Sequence, residues 1–343
     1  MPLSPRYGLS LMALTLVLAG CTIGENQAPL EPPPPSEPHI TVVEPEHVPP
    51  VYRVQAQDRV IGGTDTYVVR EKDTLLDVAR DYDFGYTQLI TANRGIDPWA
   101  PPVGHPVTLP GRYLLPDVPR KGIVINLVQH RLFYFRDDGA VETFPIGVGV
   151  EGHTTPLGVV KITRKEVHPV WHVPPSIRTE DPDRPLPATV RPGPDNPLGD
   201  YAMQMGGTSF LIHGTNKPYG VGRNVSHGCI HLYPEDIEKL FKEVKVGTQV
   251  RIIDQEVLTA WINGDLYVAV FPNKSQAEAL DVNMPVSNDL PPTLKEQITQ
   301  AAAGHKAKIN WAEVEQVGRE RTGIPVRVTS PEAGSDVTTS LRP

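Results

Sequence analysis

The sequence predicts a mostly β protein, with a β-rich central domain, a small βααβ module before it and a C-terminal extension behind it. Runs of β-branched and aromatic residues separated by turn residues recur after residue 120. Helical spacing of apolar residues is confined to short stretches. The 38 prolines among 343 residues are roughly twice the usual share, which indicates long segments of linker or irregular loop.

Charge and cysteine content exclude several classes of function. A net charge of −8 gives no electrostatic reason to bind DNA or RNA, so no nucleic acid partner is predicted. The two cysteines, Cys21 and Cys229, are too few for a disulfide framework or a four-cysteine metal site. We therefore predict no cofactor and no metal, and each cysteine needs its own explanation.

The first cysteine follows a short apolar segment. The run Leu9–Leu18 is too short to cross a bilayer and has the length of a signal-peptide core. Leu18-Ala19-Gly20-Cys21 resembles a bacterial lipobox, which implies that residues 1–20 are a signal peptide and that Cys21 carries lipid. The alternative is an ordinary secretory peptide. The lipobox implies a lipid-anchored protein of the cell envelope facing the periplasm, and Thr22 favours the outer membrane.

Residues 21–65 form a proline-rich linker. Nine prolines lie between Pro29 and Pro50, a composition that favours extended polyproline II. About 40 such residues reach on the order of 100 Å, so the folded part is expected to work away from the membrane.

Residues 66–110 predict strand, helix, helix and strand. Tyr67-Val68-Val69 indicates a strand, and Asp73-Thr74 can cap a helix that carries Leu75 and Val78. A second short helix ends near Asn93, and Pro106–Pro110 is a closing strand.

This segment resembles a LysM module, a peptidoglycan-binding domain, with Lys72 in place of the usual turn glycine. The resemblance implies that the module binds peptidoglycan glycan; the alternative is a spacer that packs on the next domain without binding sugar. The matching positions are Tyr67-Val68-Val69, Lys72-Asp73-Thr74-Leu75, Val78-Ala79, Tyr82, Leu89, Ala92-Asn93 and Val107-Thr108-Leu109-Pro110.

The central domain is expected to span residues 120–254. Its strands are followed by a stretch from Pro169 to Pro197 with nine prolines, which predicts a long surface loop suited to a lid. A helix is predicted from Pro234 to Gly247. Residues 255–343 form the extension, with a hairpin at Trp261–Val270, a helix at Pro292–Ala303 and a disordered tail.

The second cysteine stands among histidines and glycines. Cys229 ends the motif Ser226-His227-Gly228-Cys229, sixteen residues after His213. A neighbouring imidazole that takes the thiol proton would make Cys229 a nucleophile. Gly214 and Gly228 would let backbone amides point at an oxyanion.

There are three alternatives to the interpretation of Cys229 as a reactive thiol. On a strand, His227, Cys229 and His231 would share one face and, with His213, bind zinc. Cys229 could instead be an inert buried thiol among structural histidines. A papain-like hydrolase is disfavoured because there the cysteine precedes the histidine.

Residues 120–254 resemble the L,D-transpeptidase catalytic domain of the YkuD type. The resemblance implies a β-rich fold with Cys229 as nucleophile, His213 as proton donor and acceptor, and a positioning carbonyl at Gly214. It also implies that His227 and Gly228 shape the oxyanion region, that Ser226 supports the loop, and that His231 and Arg223 bind substrate. His231 departs from the arginine or asparagine common in the family. Supporting matches are Thr155-Pro156-Leu157-Gly158, Asn196-Pro197-Leu198-Gly199 and Gly222-Arg223.

The implied substrate is the tetrapeptide stem of peptidoglycan. Cys229 would form a thioester with the third stem residue and expel the terminal D-alanine. An amine of another stem would give a 3-3 cross-link, a lysine of an envelope lipoprotein would give attachment, and water would give L,D-carboxypeptidase trimming. The alternative from another class is an inactive envelope tether that binds peptidoglycan.

Overall fold

A computed structural model describes residues 50–330 apart from 151, 154, 180–182 and 184. The predicted signal peptide, Cys21, most of the linker and the tail beyond Ser330 lie outside the described residues. Within residues 50–330 no helix combines the length and apolar character needed to cross a bilayer. Strands hold more residues than helices, so the predicted mostly β class is confirmed.

The N-terminal module has the predicted strand, helix, helix, strand order. Strands β3 and β4 pair antiparallel, with Tyr67 opposite Val107. Leu75 of the first helix and Leu89 of the second are fully buried in the core of the module. Binding of glycan by this module stays a prediction. The elements are β1 (Val51–Arg53), β2 (Val60–Ile61), β3 (Asp65–Val68), α1 (Leu75–Asp81), α2 (Tyr86–Ala92), β4 (Pro106–Leu109) and β5 (Tyr113–Leu114).

Helix α1 begins at the predicted cap. The Thr74 hydroxyl accepts a hydrogen bond from the Asp77 N–H at 3.2 Å, and the Asp77 carboxylate accepts one from the Thr74 N–H at 3.3 Å. Two residues earlier Lys72 has a φ of 73°, in the left-handed region that favours glycine. The departure from the LysM pattern therefore lies at a backbone position where a lysine is strained.

The central part builds the main sheet. Within the described residues, nine strands follow the order β1-β8-β7-β6-β17-β10-β13-β14-β16. The elements are β6 (Gly122–Asn126), β7 (Arg131–Phe135), β8 (Ala140–Pro145), β9 (Val148–Gly149), β10 (Gly158–Val167), β11 (Trp171–His172), α3 (Pro175–Arg178), β12 (Thr189–Val190), β13 (Tyr201–Met205), β14 (Leu211–His213), a 3-10 turn (Pro218–Gly220), β15 (Asn224–Ser226), β16 (Ile230–His231), α4 (Pro234–Glu243) and β17 (Gln249–Ile253).

The sheet is covered on both faces. Ile123 and Ile125 of β6 lie in a core that α4 closes with Ile237. The residue between them, Val124, points to the opposite face and packs in the core shared with the N-terminal module, next to Phe133. This explains why β6 is apolar at consecutive positions. The N-terminal module is therefore packed against the sheet.

The C-terminal extension contains the predicted hairpin and helix. The hairpin turns at Asn263-Gly264, where both residues have positive φ, and α6 matches the predicted helix. Helices α5 and α7 were not predicted; asparagine caps, Asn273 and Asn310, begin them. The elements are β18 (Val257–Ile262), β19 (Asp265–Val270), α5 (Lys274–Asp281), α6 (Leu294–Ala302), α7 (Trp311–Glu320) and β20 (Val326–Arg327).

Buried charges join the N-terminal module to the main sheet. Arg131 is 1% exposed, donates to the Asp83 carbonyl at 2.7 Å and lies 4.3 Å from the centre of the Tyr113 ring. Burial raises the pKa of Asp83 well above its ordinary value; the Asp236 carboxylate raises it further, and the Arg131 and Lys239 charges oppose the rise. Asp83 therefore keeps its proton to higher pH in the folded protein than in the unfolded chain.

Asp83→Asn is expected to reduce the pH dependence of stability. With a raised folded-state pKa, the contribution of Asp83 is fully present below the ordinary carboxyl pKa of about 4 and is lost as pH rises through the raised value. An asparagine has no proton to lose. Relative to the native protein, the variant should gain about 1 kcal/mol or more in free energy of unfolding between about pH 5 and pH 8.

Urea unfolding at the two pH values measures this difference. Asp137→Asn, which makes the same substitution at an exposed position of the central domain, is the control. If the difference in free energy of unfolding between the native protein and Asp83→Asn were independent of pH, the inference that Asp83 is a buried, protonated carboxyl would be wrong.

Candidate active site

Two short parallel strands bring the candidate residues together. Ile212 of β14 is paired with Ile230 of β16, and both are fully buried in the core. Since consecutive side chains of a strand point to opposite faces, His213 and His231 point away from that core, as does Cys229 before β16. All three line one cleft.

His213 is held as a neutral imidazole. Its Nδ1–H donates to the Gly214 carbonyl at 2.5 Å, which leaves Nε2 without a proton. Burial is the main cause that lowers its pKa, to about 3; His231 lowers it further, and the Gly214 and Leu198 carbonyls oppose the effect. His213 is therefore available to accept a proton across the neutral pH range, and the predicted positioning carbonyl of Gly214 is in place.

Cys229 is a free, partly exposed thiol in the same cleft. Burial raises its pKa above the ordinary thiol value, and a backbone hydrogen bond at Leu211 opposes the rise. The thiol thus keeps its proton at rest while His213 is neutral. Such a pair can react if the histidine takes the proton as sulfur attacks, without a preformed ion pair.

Hydrogen bonds fix the loop that carries Cys229. The Ser226 hydroxyl donates to the Cys229 carbonyl at 2.6 Å and accepts from the Gly228 N–H at 3.2 Å. Thr155 donates to the Gly228 carbonyl at 2.7 Å. Gly228 has a φ of 97°, and a Cβ there would lie 2.4 Å from the Phe210 ring. The predicted supporting position of Ser226 is therefore occupied as expected, and only glycine fits at 228.

In the absence of substrate, the two glycine amides expected at an oxyanion both donate within the chain, and their contact with an oxyanion stays a prediction. The Gly228 N–H is bound to Ser226, and the Gly214 N–H donates to the Tyr201 carbonyl at 3.0 Å. Both amides already have hydrogen-bond acceptors, so neither N–H is free to donate to a substrate without first leaving its acceptor. His227 does line the cleft, with its ring 4.7 Å from that of His153.

His231 and Arg223 differ in their relation to the cleft. His231 lines it, with its ring 6.1 Å from that of His213, and burial lowers its pKa to about 4. A neutral imidazole offers no positive charge to a substrate carboxylate. Arg223 does not line the cleft, and substrate binding by Arg223 stays a prediction. Its guanidinium is paired with Asp281 of α5 and lies 5.0 Å from the Tyr86 ring.

The cleft has a volume of about 1500 Å³. Its outer wall comes from the predicted proline-rich stretch, which contains the paired strands β11 and β12 and helix α3. The exposed apolar side chains of Val170 and Leu186 line this wall, and Tyr219, Glu166 and Lys217 line the cleft from outside the proline-rich stretch. A mixed apolar and polar wall of this size suits an extended peptide.

The zinc alternative loses its geometric basis. It required His227, Cys229 and His231 on one strand, but β16 contains only Ile230 and His231. Across the described residues, no group of three or more His, Cys, Asp or Glu side chains is arranged to hold a metal.

Sequence reasoning missed a structural contribution of Asn196. Its side-chain amide donates to the Pro169 carbonyl at 2.8 Å and to the Arg191 carbonyl at 3.3 Å, so it ties the two ends of the cleft wall together. Its oxygen accepts from the Leu198 N–H at 2.9 Å, and the Leu198 carbonyl faces His213. No local pattern marks this bond or that of Thr155, which joins residues 73 positions apart.

Comparison with known proteins agrees with this geometry. A model of the YkuD family, the L,D-transpeptidase catalytic domain, matches residues 120–252. The probable L,D-transpeptidase ErfK/SrfK of Escherichia coli (strain K12) is 38% identical over 280 residues, covering 79% of this chain and 88% of that protein. The probable L,D-transpeptidase YbiS of the same organism is 35% identical, covering 79% of this chain and 89% of that protein.

The crystal structure of L,D-transpeptidase 3 from Mycobacterium tuberculosis is similar with a TM-score of 0.32 and 21% identity, covering 43% of this chain and 67% of that chain. The assignment rests on the sequence relatives, whose length this chain spans almost completely. By these matches the chain belongs to the L,D-transpeptidase family.

Proposed function

We propose that this chain is an active L,D-transpeptidase that works through a thioester on Cys229. L,D-transpeptidases act on peptidoglycan stem peptides. The observation that carries the proposal is the pairing of β14 with β16, through which a thiol and a neutral imidazole line one peptide-sized cleft.

In the first half-reaction the Cys229 sulfur attacks the carbonyl of the third stem residue. His213 takes the thiol proton as the carbon–sulfur bond forms. The tetrahedral intermediate collapses, the bond to the terminal D-alanine breaks, and His213 returns the proton to the departing amine. The Gly228 N–H must exchange the Ser226 hydroxyl for the oxyanion if it is to stabilise the intermediate.

In the second half-reaction an acceptor attacks the thioester. His213 takes a proton from the acceptor, the carbon–sulfur bond breaks, and the proton returns to the sulfur. A stem amine would give a 3-3 cross-link, a lysine of an envelope lipoprotein would give attachment to peptidoglycan, and water would give a trimmed stem.

The remaining parts of the chain would hold this reaction at the cell envelope. Lipid on Cys21 would hold the protein to a membrane facing the periplasm, most simply the outer membrane, and the proline-rich linker would set the distance. The module of residues 66–110 would add affinity for glycan. The support for these steps is the sequence pattern alone.

Acylation by a carbapenem tests whether Cys229 is the nucleophile. We expect intact mass spectrometry to show one adduct on the native protein and none on Cys229→Ala. His213→Gln should slow adduct formation by about a hundredfold, because the proton acceptor is lost. His105→Gln, an exposed histidine of the N-terminal module, is the matched control and should react at the native rate. An inactive tether would show no adduct, and an adduct that persists in Cys229→Ala would contradict the role of that thiol.

The pH dependence of acylation should be that of a thiol and an imidazole that are both neutral at rest. Because the pKa of His213 is lowered to about 3 and that of Cys229 is raised, neither group changes charge in the neutral range. The carbapenem acylation rate should vary little between about pH 5.5 and pH 8. Alkylation by iodoacetamide, which needs thiolate, should rise with a midpoint above the ordinary thiol value of about 8.5.

Stopped-flow and mass spectrometry over this range measure both rates. A step in the acylation rate near pH 6.5, or alkylation with a midpoint below about pH 7, would indicate a thiolate–imidazolium pair instead.

Muropeptide profiles identify the acceptor. Expression in a strain without its own L,D-transpeptidases should produce 3-3 dimers, peptidoglycan-bound lipoprotein or shortened stems, according to which acceptor is used. All three should disappear with Cys229→Ala. A profile that is the same with and without the native protein would contradict the proposed activity.

A further inference from the structure

The segment that leads into the Cys229 loop is held by two parts of the chain outside residues 120–252. Residues 221–224 run from the 3-10 turn into β15, and Ser226 at the end of β15 begins the loop. Helix α2 of the N-terminal module contacts this segment, and so does α5 of the C-terminal extension.

Helix α2 is joined to the segment by backbone bonds. The Tyr86 N–H donates to the Val221 carbonyl at 3.2 Å, and the Thr87 N–H donates to the Gly222 carbonyl at 3.1 Å. The backbones touch so closely that a Cβ on Gly222 would lie 2.2 Å from the Tyr86 nitrogen. Tyr86 is 3% exposed, so its position beneath the Arg223 guanidinium is fixed by packing.

Helix α5 is joined to the segment by side chains. The Arg223 Nε donates to the Asp281 carboxylate, and their side chains are 16% and 15% exposed. The Asn224 amide donates to the Lys274 carbonyl at 3.2 Å, and the Lys274 ammonium donates to the Val150 carbonyl at 2.6 Å. Because the two side chains are so little exposed, solvent and salt screen this charge pair less than they screen a pair on the surface.

The position of residues 221–224 directly determines the position of the Cys229 loop. Asn224 is bonded to the buried His130 at 2.8 Å, and the Val150 N–H donates to the Ser226 carbonyl at 2.9 Å. Ser226 in turn binds the Cys229 carbonyl and the Gly228 N–H. Only Asn224 and Val225 therefore lie between Arg223 and Ser226, whose side chain shapes the loop around the thiol.

We propose that Arg223, Tyr86 and Asp281 form a latch that positions the Cys229 loop for acylation. Arg223 belongs to the central domain, Tyr86 to the N-terminal module and Asp281 to the C-terminal extension. Through this latch both appended parts support the reaction centre itself. The inference rests on the proposed function of Cys229, and in it Arg223 acts as a positioning residue.

Acylation kinetics of the full folded part of the chain test the latch. Asp281→Asn removes the charge pair at constant shape, and Tyr86→Leu removes the aromatic face. With saturating carbapenem, each is expected to lower the acylation rate constant by about tenfold and to leave the half-saturating concentration within about twofold, because the loop and not the cleft wall is displaced. Asp281→Glu, which restores the carboxylate, should recover most of the rate.

Glu256→Gln is the matched control. Glu256 is paired with the buried Arg321 inside the same C-terminal extension and is not part of the latch. It should lower the melting temperature at least as much as Asp281→Asn and leave the rate constant unchanged. If Glu256→Gln lost as much rate as Asp281→Asn, or if the latch variants reacted at the native rate, the latch would be overturned.

Hydrogen exchange tests the latch without an acylation reaction and without a variant that unfolds easily. In Arg223→Lys, which keeps the charge and loses the Nε donor, amides of residues 221–229 should exchange faster than in the native protein, and those of β13 should not change. Unchanged exchange at residues 221–229 would also overturn the latch. If Arg223→Lys showed this exchange pattern while the native protein formed no adduct, the proposed function would be contradicted and the latch would stand.

Discussion

The parallel pairing of β14 with β16 is the constraint on which the reaction centre depends. Ile212 and Ile230 are anchored in the core, so His213, His231 and Cys229 have only the opposite face available. Parallel neighbours need a crossover of a dozen or more residues, which accounts for the sixteen-residue spacing between histidine and cysteine. The motif spacing is therefore a property of the sheet, and the crossover supplies the segment that the latch holds.

Desolvation determines the chemistry of the pair. Burial raises the pKa of the Cys229 thiol and lowers that of His213, so both charges are disfavoured at rest. A thiol that keeps its proton is less open to oxidation than a thiolate. Charge then develops only when a substrate is attacked.

The parts of the fold that depend on local signals were predictable from sequence. The Thr74 cap and the hairpin around Asn263-Gly264 show their structural reason within a few residues, and the histidine–cysteine motif shows it over sixteen residues. The caps at Asn273 and Asn310 carry the same kind of local signal for the beginnings of α5 and α7.

Contacts between distant residues were not predictable in this way. Arg223 matches a family position, which suggested substrate binding, but its partner Asp281 lies 58 residues along the chain. The two glycine amides expected at an oxyanion have acceptors that only the folded chain supplies, Ser226 and the Tyr201 carbonyl. Such partners are fixed by tertiary packing, to which neither periodicity nor motif spacing refers.

Nitrogen-15 NMR of the His213 ring tests whether the reaction centre rests as a neutral thiol and a neutral imidazole. We expect a protonated Nδ1 and an unprotonated Nε2, with shifts that stay constant between about pH 5 and pH 8. Cys229→Ala should leave these shifts nearly unchanged. Two protonated ring nitrogens at neutral pH, lost in Cys229→Ala, would show a thiolate–imidazolium pair and contradict the neutral resting state.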